Sequence, residues 1–178
     1  MNHIVKRVAL TALVAGVGMA AVGGALYAAG ARINTSKSIP LGLYWTTSVP
    51  VAKGEYVIFC PPQRAVFTDA RDRGYIGSGF CPGDYGYMMK KVLAAKGDTV
   101  AVTPAGVTVN GDLLPHTKPL PADSAGRPLP HMSDERYTLG DSELLLMTDR
   151  SATSFDARYF GPVTRAQVKA VIRPVVTW

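Results

Sequence analysis

Tyr87-Met88-Met89-Lys90-Lys91-Val92-Leu93 reads as an apolar strand that carries two lysines. Successive side chains on a strand point to opposite faces. Lys90 therefore shares a face with Met88 and Val92, and Lys91 shares the other with Met89 and Leu93. Both lysines have apolar neighbours, so periodicity alone does not choose which one is buried. The ordinary arrangement for such a pair is one solvated side chain and one snorkelling stem.

Outward from this stretch, the chain after residue 31 continues as short apolar runs separated by glycine and proline, a pattern of strands and turns. Strands are expected at 43–47, 55–60, 87–93, 99–103, 107–109, 144–148 and 168–177. Asn110-Gly111 between apolar runs marks a hairpin turn. A helix is expected only around 62–72, where Arg64, Asp69, Arg71 and Asp72 form a polar face. Residues 112–136 hold five prolines and few large apolar side chains, which predicts a surface loop or small flap. The fold class is mainly β, with short antiparallel strands preceded by one apolar helix.

That helix is the run from Val8 to Gly30, which carries no charge. At about 1.5 Å per residue it is long enough to cross a hydrocarbon layer of roughly 30 Å. His3, Lys6 and Arg7 precede it, so the positive-inside rule keeps the N-terminus cytoplasmic and sends residues 32–178 across the membrane, into the periplasm of a bacterium. Two readings of residues 1–31 stand open: a retained anchor, or a signal peptide cleaved at Ala29-Gly30-Ala31. Leu41, Leu43, Tyr44 and Trp45 follow closely, and Tyr44 and Trp45 are the expected interfacial anchors.

Cys60 and Cys81 are the two cysteines, an even count that suits an oxidising compartment. One bridge between them is expected, with buried free thiols as the alternative. Closing a loop of about 20 residues stabilises a fold by roughly 3 kcal/mol. His3, His116 and His131 are scattered without metal-ligand spacing, and no nucleotide or organic cofactor motif occurs. The net charge is +6. Its basic residues are spread along the chain, without a basic helix or an aromatic–basic platform, which favours a surface beside acidic lipid over a nucleic-acid partner.

Chemistry enters with Asn34-Thr35-Ser36-Lys37-Ser38-Ile39-Pro40, where two hydroxyls precede a rigid proline, and with the polar cluster from Asp149 to Gly161. A serine attacks a carbonyl only when something removes its proton. With no histidine suitably placed, the candidates are lysine amines. Bringing a lysine from about 10.4 to near 7 takes roughly 4 kcal/mol of bias against its charged form, which apolar burial supplies.

Ser36-Lys37-Ser38-Ile39-Pro40, Tyr87 through Gly97-Asp98, and Ser154-Phe155-Asp156-Ala157-Arg158-Tyr159-Phe160-Gly161 fall in the order and approximate spacing of the type I signal peptidases. The chain resembles the conjugative-transfer, TraF-type branch of that family in its Ser-Ile-Pro-Leu-Gly-Leu-Tyr-Trp, Phe-Cys-Pro-Pro and Cys-Pro-Gly-Asp stretches. The resemblance covers nearly all of residues 30–175. It implies that Ser38 is the nucleophile, Lys90 the general base, and Ser36 a hydroxyl assisting the oxyanion hole beside the Ser38 backbone N–H. It further implies that Ser154 orients the lysine, that Asp156 is an acid near the dyad, and that Arg158 is its ion-pair partner. Secretory signal peptidases place two residues between the serine and the proline, where only Ile39 stands here. The loop facing the substrate is therefore expected to differ.

The implied activity is a membrane-associated serine endopeptidase that matures an exported prepilin at the outer face of the cytoplasmic membrane, alongside other mating-pair-formation proteins. Joining of the pilin's ends is a further option in that branch. The alternatives are a general signal peptidase for secretory preproteins, and a non-catalytic pilus-assembly module in which Ser38 and Lys90 are surface polar groups.

Overall fold

The computed structural model describes residues 3–130 and 136–178; His131, and residues 131–135 of the expected flap, lie outside them. Helix α1 (His3–Ala28) is followed by β1 (Ala31–Asn34), β2 (Gly42–Thr47), β3 (Tyr56–Phe59), α2 (Ala65–Asp72), β4 (Ser78–Cys81), β5 (Met88–Ala94), β6 (Thr99–Thr103), β7 (Gly106–Val109) and β8 (Asp112–Leu113). After these come β9 (Tyr137–Thr138), β10 (Glu143–Met147), α3 (Ala157–Phe160), β11 (Val163–Thr164) and β12 (Val168–Thr177). The molecule is mainly β, with antiparallel pairings throughout the named strands and one apolar N-terminal helix. A seven-stranded sheet runs β1-β2-β12-β3-β5-β10-β11, and a four-stranded one runs β8-β7-β6-β9.

The expected strands lie within a residue or two of the observed ones. Asn110-Gly111 forms the two-residue turn between β7 and β8; both residues have positive φ, 55° and 94°, as a type I′ turn requires. Pro174 sits inside β12, which is otherwise a central strand. It pairs there with Tyr44 of β2, whereas the pairing with β3 has already ended at Ile172. The missing N–H therefore interrupts no ladder on the β3 side.

Strand β5 is the frame of the site. It lies between β3 and β10, with Val57 opposite Lys90 and Tyr56 and Met147 both opposite Lys91. Val57, Met88 and Val92 belong to the large core, while Met89 packs with Ile39, Tyr44, Ile58 and Ile172 on the other side of the sheet. Burial on both faces matches the near-continuous apolar character of β5. The Cys60–Cys81 disulfide ties the start of the α2 excursion to the end of β4.

The interfacial expectation for Tyr44 is overturned. Tyr44 is fully buried and its hydroxyl donates to the Pro40 carbonyl at 2.7 Å, while Trp45, its neighbour on the opposite face of β2, stays exposed. Strand alternation turns one inward as it turns the other outward.

Candidate active site

Three segments distant in sequence meet at one point. The first is the loop between β1 and β2, held by Asn34 where β1 ends. Its amide nitrogen donates to the carbonyls of Ser36, Ile39 and Pro40 at 2.8, 3.0 and 2.9 Å. Its amide oxygen accepts from the Ser36 backbone N–H at 3.1 Å and from the Ser36 hydroxyl at 3.0 Å. One buried side chain thus ties together the whole turn from residue 34 to residue 40. Ile39 anchors the turn from below by burial against Met89 and Tyr44. Ser38, immediately before it, is left half-buried and facing β5.

The second segment is β5 itself. Lys90 is 3% exposed, and its amine lies 2.6 Å from the Ser38 hydroxyl oxygen and 2.6 Å from that of Ser154. The two hydroxyls are 3.0 Å apart, so the three groups form a closed triangle. Burial pushes the Lys90 amine down from 10.5 to about 8; the Asp156 charge opposes that shift and the Arg158 charge reinforces it. Lys91 turns to the other side of the sheet and pairs with Asp149 at 2.8 Å, both partly exposed.

The third segment follows β10. Asp156 caps α3, its carboxylate accepting from the Arg158 backbone N–H at 3.2 Å and from the Thr148 N–H at 3.3 Å. The Arg158 guanidinium grips the same carboxylate through two 2.8 Å bonds, with neither side chain exposed. Its remaining N–H groups donate to the carbonyls of His116, Ala152 and Ser151. A buried ion pair is tolerable only when its other donors and acceptors are also satisfied, as here. The pair holds the 151–154 loop in place and with it Ser154.

Ser36, Ser38, Lys90 and Ser154 all line one cleft of about 570 Å³, whose walls include Ile33, Tyr87, Met88 and Phe155. The cleft therefore presents a hydroxyl hydrogen-bonded to a depressed lysine amine. Such a pair is able to pass a proton between oxygen and nitrogen without a histidine. The Ser36 hydroxyl is engaged with Asn34, so assisting an oxyanion requires it to rotate toward the cleft. Asn34 is the residue that the motif reading passed over. Its signal in the sequence is an Asn at the start of a turn, where its side chain bonds the backbone ahead of it.

The family model described as signal peptidase, peptidase S26, matches residues 1–178. The chain is 64% identical over 178 residues to a plasmid transfer protein TraF of Escherichia coli, covering 100% of both chains. It is 35% identical over 180 residues to a conjugal transfer protein TraF of Agrobacterium tumefaciens (strain 15955), covering 100% of this chain and 99% of that one. A crystal structure of a signal peptidase I from Enterococcus faecalis V583 is 17% identical, covers 71% of this chain and 100% of its own, and superposes with a TM-score of 0.40.

Proposed function

The chain belongs to the signal peptidase family, peptidase S26, and from that premise we propose that it is a membrane-associated serine endopeptidase using a Ser38/Lys90 dyad on an exported conjugative prepilin. The observation that carries this reading is the triangle of Ser38, Lys90 and Ser154, with a buried amine held near neutrality at the edge of a cleft. In this reading neutral Lys90 takes the Ser38 proton as the serine oxygen bonds to the scissile carbonyl carbon. The resulting ammonium returns that proton to the leaving nitrogen as the C–N bond breaks. Ser154 holds the amine in line, and the buried Asp156–Arg158 pair fixes Ser154 and balances the local charge. The Ser38 N–H and a rotated Ser36 hydroxyl receive the oxyanion, a contact worth about 2.7–4 kcal/mol in comparable sites.

Two nucleophiles are open to the acyl-enzyme: water, giving a linear product, and the pilin's own N-terminal amine, which joins the chain ends. The mass of the product separates them, because the circular form is lighter by one water. Similarity to TraF proteins of plasmid and conjugal transfer supports a role in pilus assembly and plasmid transfer, beside other mating-pair-formation proteins.

Helix α1 is long and apolar enough to span a membrane, which supports the reading that the cleft lies in the periplasm at the outer face. Retention of α1 is favoured by its junction with the body. The Gly30 carbonyl accepts from Thr46 N–H at 3.0 Å, Ala31 pairs with Trp45, and Gly30 has φ 113° with Thr46 where a side chain would go. Ser38→Ala and Lys90→Ala should each abolish pilin maturation and reaction with a serine-acylating β-lactam, read by intact mass, whereas Lys91→Ala retains both. Adduct formation at full rate in Lys90→Ala would refute the dyad.

A further inference from the structure

A second cavity, of about 160 Å³, adjoins the Ser38 cleft and shares Tyr75, Thr153 and Phe155 with it. Leu120 and Leu129, from the strap of chain that follows β8, and the ring of Tyr159 complete its apolar wall. The strap is fixed at both ends. The carbonyls of His116 and Lys118 accept from Arg158 at 3.1 and 3.4 Å, and the Pro128 carbonyl accepts from Arg73 at 2.8 Å. Between these ties, Asp123 accepts from the Tyr75 hydroxyl. The cavity is thus formed before any ligand arrives, which spares the cost of ordering it on binding.

Its polar groups are already engaged. Asp123 is the one charged residue among those described in the wall. One of its oxygens accepts from the Tyr75 hydroxyl and from Arg127 Nε, and the other from the backbone N–H groups of Ala125 and Arg127, both at 2.9 Å. The Tyr159 hydroxyl accepts from the Leu120 N–H at 3.1 Å. What remains for an occupant is leucine methyl groups and ring faces, with Phe155 lying 5.5 Å from the Tyr75 ring and stacked at 5.9 Å on Tyr159. A polar side chain entering here loses its water and finds no free partner beyond the exposed Ser124 and Thr153. A cavity of about 150 Å³ holds a group the size of benzene, so the fit is to leucine, methionine or phenylalanine.

Position says what supplies that side chain. Thr153 and Phe155 flank Ser154, whose hydroxyl lies 2.6 Å from the Lys90 amine. An extended chain advances about 3.3 Å per residue, so a polypeptide with its scissile carbonyl at Ser38 passes the shared wall within about three residues of that bond. We propose that this cavity is a specificity subsite for a large apolar side chain of the substrate polypeptide, with Leu120 setting its depth. It is separate from the part of the cleft walled by Ile33, Met88 and Met89, none of which lines it. The proposal rests on the Ser38/Lys90 reading and deepens it by naming a side-chain class that the substrate carries.

The full chain in detergent, and its Leu120→Ala and Leu120→Trp variants, are given a diverse synthetic peptide library, and the cleaved bonds are read by mass spectrometry. The parent should enrich leucine, methionine or phenylalanine over alanine about tenfold or more at one position within about three residues of the cleaved bond. Leu120→Ala should shift that position toward phenylalanine and tryptophan, and Leu120→Trp toward alanine and glycine. Opposite shifts from one site separate a subsite from damage to the fold, which lowers all cleavage alike. Cleavage in which no position favours large apolar residues, or in which the preference ignores both variants, overturns the subsite and leaves the dyad standing. A parent that cleaves no peptide and forms no β-lactam adduct at Ser38 ends the dyad reading and the subsite with it.

Discussion

Replacing Lys90 with methionine should make this protein more stable while removing its chemistry. Burial lowers the Lys90 amine from 10.5 to about 8, a gap equivalent to roughly 3 kcal/mol of preference for the unfolded chain, where the ammonium is hydrated. The sign follows from proton counts. Below pH 8 both states carry the proton and the full penalty applies. Between pH 8 and 10.5 the unfolded state alone carries it, so stability rises with pH; above 10.5 the penalty is gone. Methionine retains an apolar stem, and the Ser38 and Ser154 hydroxyls, 3.0 Å apart, remain partners for each other. Two hydrogen bonds from the amine are lost at about 1 kcal/mol each.

Lys90→Met is therefore expected to exceed the parent by about 1–3 kcal/mol at pH 7, with the difference narrowing toward pH 10.5. Urea unfolding of detergent-solubilised protein at a series of pH values, followed by tryptophan emission, measures it. A variant less stable than the parent at pH 7, or a difference that ignores pH, would show that burial does not strain Lys90 toward neutrality.

Acylation of Ser38, followed by intact mass, should rise about fivefold from pH 7 to pH 8 and less than about twofold beyond, because about a tenth of Lys90 is neutral at the first and half at the second. Asp156→Asn removes the charge that favours the ammonium, so its profile should move toward lower pH; an unmoved midpoint counts against electrostatic contact between the two. Asn34→Ala frees the turn that its five hydrogen bonds hold, and the acylation rate should drop by about tenfold or more through lost positioning; an unchanged rate would make Asn34 dispensable. The double change Cys60→Ser/Cys81→Ser opens a 21-residue separation and should cost about 3 kcal/mol in unfolding free energy, with a loss under about 1 kcal/mol contradicting the loop-closure account.

The strands built from valine and isoleucine were legible because alternation and turn residues are local signals, and β6, β7 and β12 needed nothing else. The polar strand β1 carried no such signal. Ala31-Arg32-Ile33-Asn34 becomes a strand through its register with β2, from Ala31 opposite Trp45 to Asn34 opposite Gly42. Two-residue β9 and β11 likewise exist only as partners of β6 and β10. Helix α3 hides in a polar cluster because it is a single turn started by the Asp156 cap.

Lys90 and Lys91 show most plainly why local pattern stops short of the site. Their neighbours along the strand are alike, and what separates them lies far away in sequence. Ser38 and Ser154 approach one face from 52 and 64 residues away, whereas Asp149 meets the other face at a partly exposed position. A lysine on the first face is desolvated and keeps only hydroxyl partners, and its amine falls toward neutrality; a lysine on the second finds a carboxylate. Motif resemblance reached Lys90 because it brings three distant segments together at once, as the folded chain does. It passed over Asn34, whose contribution is to bond backbone carbonyls and an N–H that no side-chain pattern records. The turn that carries Ser38, with only Ile39 before Pro40, is held by that same side chain, whose amide nitrogen donates to the carbonyls of both Ile39 and Pro40. The turn and the asparagine beneath it are therefore one device.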